Sequence, residues 1–242
     1  NCRNYSFVVK LLANQVFSPI NKLTNKLGIN WYDFSKKLTE VIQGSEFTGE
    51  FKNLYNEFCK ESSNELFNSK EEAINFYSKD NNYKNLIKGD VGENLASKYN
   101  AKSLLILKDI ISTIFFVIKN KFKNTYDEKF NCIISSSEIW LKNLYMIDEI
   151  FSKNNDIDKI SKYNLKIDFD FPEWLLKSNM PFEEFKKDTI YEINYDIEKI
   201  KDMKTELSSV YGNYGGDKVR ILGRFLMEHI NKDVDIFKKN FH

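Results

Sequence analysis

Apolar residues return along most of this chain at intervals of three and four, the period of a helix that buries one stripe. From Tyr5 to Lys26 the helical spacing holds Phe7, Leu11, Leu12, Gln15, Val16 and Leu23, and Pro19 within it predicts a kink or a second helix. Gly28 is placed to end the segment. Trp31, Phe34, Leu38, Val41 and Ile42 form the next stripe, and Phe47, Phe51, Leu54, Tyr55 and Phe58 the one after. Ser69 and Glu72 have the spacing of a capping box, ahead of Ala73, Ile74, Phe76 and Tyr77. Asp90 and Glu93 repeat that spacing ahead of Val91, Leu95 and Tyr99. The most apolar run, Ser103 to Phe122, is interrupted at Lys108 and Asp109. Its uncharged part, Ile110 to Ile118, falls far below the ~20 residues of a membrane span, so it predicts a buried central helix. Ser137 is expected to open another helix through Ile139, Trp140, Leu144, Ile147 and Ile150.

One stretch changes period. Leu165, Ile167, Phe169 and Phe171 alternate with Lys166, Asp168 and Asp170, the signature of a half-buried strand. Pro172 ends it, since proline offers no ladder donor but suits a first helical turn, and Glu173 to Lys177 is that short helix. Pro181 and Glu183 begin another turn, after which Tyr191, Ile193, Tyr195 and Ile197 alternate again. Asp196 then caps a helix through Ile200, Met203, Leu207 and Val210 that ends at Gly212, and Val219 to Ile230 makes a last helix. The expected fold is mainly α, a multi-helix bundle with a small β-ribbon at about residues 165–197 packed on it. The bundle spans 1–160, and the ribbon with the C-terminal helices spans 161–242, as one continuous accessory domain.

Composition narrows the partners. With 42 % hydrophobic and 15 % aromatic residues, the 242-residue chain can build a sizeable core. Lys+Arg 36 against Asp+Glu 35 leaves a charge of +1, which argues against nucleic acid or anionic lipid. Arginine occurs only at Arg3, Arg220 and Arg224; the lysine and asparagine excess is that of an AT-rich bacterial genome. Cys2, Cys59 and Cys132 are too scattered for a disulfide framework and point to a reducing cytoplasm. The opening NCRNYSFVVKLL has neither an initiator methionine nor a signal-peptide layout, so a piece of a longer protein is expected.

Few residues suggest chemistry. Asp168, Asp170 and Glu173 are three close carboxylates, and paired carboxylates do acid–base work when burial splits their pKa values. Strand alternation instead puts both aspartates on a solvated face. Trp174 is either a docking anchor or a core residue over the ribbon. Arg220 and Arg224, four apart, could clamp a carboxylate or phosphate, although Arg224 with Glu228 also makes an ordinary helical ion pair. Asp170, Trp174, Arg220 and Arg224 are thus the candidate docking or substrate-facing residues. The glycines between Tyr211 and Asp217 lack the Gly-Lys-Ser/Thr ending of a phosphate loop, and His229 and His242 are isolated. No catalytic, cofactor or metal set can be assembled from spacing alone.

The run FDFPEWLLKSNMPFEEFKKDTIYEINYD, with the helices and VYGNYGGDKVRILGRF that follow, resembles the C-terminal region of cobalamin-binding radical SAM proteins. The matching residues are Asp170, Trp174-Leu175, Pro181-Phe182-Glu183-Glu184-Phe185 and Tyr191-Glu192-Ile193. NYKNLIKGDVGENLASKYNA is similar to another segment of that family through Tyr83, Leu86, Gly89, Gly92 and Asn94. NYSFVVKLLANQVFSPINKLTNKLGI is similar to the helical segment after its barrel. The resemblance implies a C-terminal accessory domain that helps enclose substrate. Its partners would be a cobalamin-binding domain and a radical SAM barrel of the same polypeptide, holding cobalamin, a 4Fe-4S cluster and S-adenosylmethionine, with methyl transfer one candidate reaction. The Cys-x-x-x-Cys-x-x-Cys and Asp-x-His-x-x-Gly motifs are not in this chain, so no functional residue carries over and this chain alone is not expected to be an enzyme. The alternative is a stand-alone helical protein–protein interaction domain.

Overall fold

Pro19 opens a helix rather than bending one. Helix α1 (Cys2–Leu12) ends before it, and α2 (Ser18–Lys26) carries the proline in its first turn, where the missing amide has no intrahelical partner to lose. The computed structural model describes residues 2–13, 17–45, 47–64, 66–88, 95, 99–100, 102–103, 106–122, 128–144, 162–177 and 181–194. Among these it is mainly helical, with nine helices and one two-stranded antiparallel sheet. None of the described helices is long and apolar enough to cross a membrane.

Local chemistry sets the helix ends. Gly28, at φ +68°, takes the left-handed conformation that turns the chain out of α2. Asn30 then caps α3 (Trp31–Gln43), its Oδ1 accepting from the amides of Tyr32 at 2.9 Å and Asp33 at 3.2 Å. Helix α4 (Glu50–Ser63) starts at Gly49, which has no side chain to cap it. The cap comes from 58 residues away: Oδ2 of Asp109 accepts from the Phe51 amide at 2.8 Å. Asp109, which interrupts the apolar run in the sequence, is therefore a tertiary N-cap. Helix α5 (Lys70–Tyr77) has a modified capping box, in which Ser69 Oγ accepts from the Glu72 amide but Glu72 accepts from the amide of Asn68.

Helix α6 (Asp80–Lys88) follows α5, and the central helix is α7 (Leu107–Lys121), packed by α3, α4 and α8 (Glu128–Leu144). Its Ile110, Ile111, Ile114, Phe115, Val117 and Ile118 are all buried. Phe7 of α1 stacks on Phe58 of α4 at 4.6 Å, closing the core on that side. Glu138 of α8 is paired with Lys119 of α7 and with Lys142 one turn on. Burial pushes the Glu138 carboxyl up, but the hydrogen bonds from Lys119 and Lys142 outweigh it and leave the pKa lowered.

The boundaries depart from the pattern in three places. Helix α8 begins at Glu128, not at Ser137, which lies buried in its middle with its hydroxyl donating to the Ile134 carbonyl at 3.0 Å. A mid-helix serine returns its hydrogen bond to the preceding turn, so it needs no helix start. Trp31 heads its stripe but is exposed, as are Phe116 and Ile139. Strands β1 (Lys162–Ile167) and β2 (Thr189–Asn194) are antiparallel, in register from Lys162 opposite Asn194 to Ile167 opposite Thr189. Both thus lie earlier than the alternation suggested. Phe169 and Phe171 are buried, but beyond the strand, because the chain bends at Asp168 and still returns each aromatic to the core. Leu95 and Tyr99 are buried as expected of their stripe. Asp90, Glu93, Ile147, Ile150, Tyr195 and everything after it lie outside the described residues.

Candidate functional site

The Pro-Glu-Trp segment forms a corner between the two strands. Helix α9 (Phe171–Leu176) begins on Asp170, whose Oδ1 accepts from the Glu173 amide at 3.2 Å, with Pro172 in the first turn. The Asp170 amide donates to the Phe185 carbonyl at 2.8 Å, tying the outgoing limb to the returning one across the 3₁₀ turn Phe182–Glu184. The rings of Phe169 and Phe182 stack at 5.0 Å and 21°, with Trp174 edge-on to Phe169 at 5.9 Å and Phe185 tilted at 6.2 Å. These four rings close on one another and join the same hydrophobic core as the bundle, Phe169 and Phe185 within it and Trp174 and Phe182 packed against it.

Asp170 is only 2 % exposed, which corrects the expectation of a solvated strand face. Alternation does not reach it, since β1 has already ended at Ile167. Its Oδ2 lies 3.5 Å from the Lys187 ammonium, and that ammonium also lies 3.3 Å from Glu173. Glu173 is paired in addition with Lys177, and these hydrogen bonds, Lys177 foremost, hold its carboxyl below the ordinary range. Asp168, at the bend after β1, is exposed and accepts from the buried Ser136 hydroxyl of α8 at 2.7 Å. Asp170 caps α9 and shares the Lys187 ammonium with Glu173, which is also paired with Lys177, whereas Asp168 is tied to α8 through Ser136.

Trp174 is half-buried. The ammonium of Lys26, the last residue of α2, sits 4.6 Å from its ring centroid. The same ammonium donates to the carbonyls of Trp174 and, at 2.6 Å, Lys177, satisfying the open end of α9. Asp170 and Trp174 thus share the corner, the Trp174 amide donating to the Asp170 carbonyl at 2.9 Å. Arg220, Arg224, His229 and His242 lie outside the described residues.

A second surface has a different character. Helix α5 carries Ala73, Ile74, Phe76 and Tyr77 behind its capping box, yet none of its residues is buried. Phe67, Phe76 and Tyr77 cluster with centroids 5.2–5.5 Å apart, and α5 packs on α6. Outside this cluster Ile74 is 56 % exposed and Ile87 67 %, with Leu66, Tyr83 and Leu86 also exposed. Tyr83, Leu86 and Ile87 stand at i, i+3 and i+4, so they share one face of α6. Four of these large apolar side chains lie on the hairpin itself, Ile74 on α5 and Tyr83, Leu86 and Ile87 on α6, with Leu66 in the segment ahead of α5. No signal in the sequence separates this stripe from those of the core.

The cysteines stand on three helices: Cys2 exposed on α1, Cys59 partly buried on α4 and Cys132 partly buried on α8. Burial pushes the thiols of Cys59 and Cys132 up, the opposite of what a metal-binding thiolate needs. A cluster held by three thiolates of one short loop does not fit this placement. Compared with protein-family models, with curated proteins and with solved structures, the chain matches none.

Proposed function

We propose that this chain is a helical accessory domain that acts by docking, the C-terminal, substrate-enclosing part of a cobalamin-dependent radical SAM enzyme. The observation that carries the docking role is the exposed apolar face of the α5–α6 hairpin. Tyr83 and Leu86, through which this segment resembles the family, are on that face. A second segment of resemblance, around Asp170 and Trp174, is a braced corner whose carboxylates cap and pair rather than stand free, which suits a structural part. In this reading the iron–sulfur cluster, S-adenosylmethionine and cobalamin belong to other domains of the parent, and this chain contributes no ligand to them.

The same face also supports the second reading, a stand-alone helical interaction domain. The gene separates the two: an upstream, in-frame Cys-x-x-x-Cys-x-x-Cys with an Asp-x-His-x-x-Gly supports the first. A start codon at or near Asn1 overturns it and leaves the second. The docking role is tested by expressing the upstream domains separately and measuring their binding to this chain by calorimetry. Ile74→Glu with Ile87→Glu should abolish binding while leaving the melting temperature nearly unchanged, because both side chains are more than half exposed to water. Undiminished binding by that variant would remove the α5–α6 face from the interface.

A further inference from the structure

We draw no further inference here: the strongest candidate, the exposed apolar face of the α5–α6 hairpin around Ile74, Leu86 and Ile87, belongs to the surface already described, and nothing in the structure shows what covers it.

Discussion

Replacing Gly49 by alanine tests how α4 is held to the central helix. Gly49 sits at φ 146°, ψ 172°, a region that only glycine occupies without strain, so a Cβ there costs about 1–3 kcal/mol. Reduced freedom of the unfolded chain returns about 0.4–1 kcal/mol of that. The new Cβ would also stand 3.0 Å from Oδ2 and 3.2 Å from Oδ1 of Asp109, the carboxylate that caps α4. That carboxylate is the end of a flexible side chain, so it can move away, but it then releases the Phe51 amide. A lost cap costs about 0.5–2 kcal/mol. Together these put Gly49→Ala between about 0.5 and 4.5 kcal/mol destabilising, centred at ~2.5 kcal/mol. Urea unfolding of the parent, Gly49→Ala, Asp109→Ala and the double variant measures each term, provided the denaturant slope stays constant. The two changes remove the same cap, so the double variant should cost about 1 kcal/mol less than the sum of the singles. Strict additivity would show that the carboxylate is not at Gly49. A Gly49→Ala cost below about 0.5 kcal/mol would refute the backbone assignment as well.

Three further outcomes are expected. Trp140 is buried on α8, so Trp140→Ala should lower stability by about 3–5 kcal/mol, and an unchanged denaturant midpoint would mean that face of α8 is misplaced. Trp174→Ala, at a half-buried ring, should cost roughly 2 kcal/mol, about half the full-burial figure, and should expose the corner in amide hydrogen exchange at residues 171–177 before the bundle opens. Because the folded-state pKa of Glu138 is lowered, its contribution is present above the ordinary carboxylate pKa and is lost as pH falls through the folded value. The stability gap between the parent and Glu138→Gln should therefore be widest near neutral pH and close in acid; a gap that does not change with pH would contradict the pairing with Lys119 and Lys142.

Periodicity determined that this chain is mainly helical with one small ribbon, because amphipathic spacing and the demands of Pro19, Gly28 and Ser69 act within a few residues along the backbone. It also located the corner, since Pro172 suits the first turn of a short helix, although β1 ends before it, at Ile167. Tertiary structure decided the rest. The capping of α4 by Asp109 joins residues 58 apart, and no local signal distinguishes that aspartate from a mere interruption. Asp170 is turned inward by a bend after β1, where strand alternation no longer governs which way a side chain points. Ser137 reads as a helix start and proves to lie in the middle of α8 with its hydroxyl returned to the Ile134 carbonyl, while the neighbouring Ser136 donates to Asp168 beyond β1. The stripe Tyr83, Leu86 and Ile87 is the plainest case. Spacing shows that an apolar face exists, but whether it is covered depends on what else the chain brings to it, and the described chain leaves it open to water.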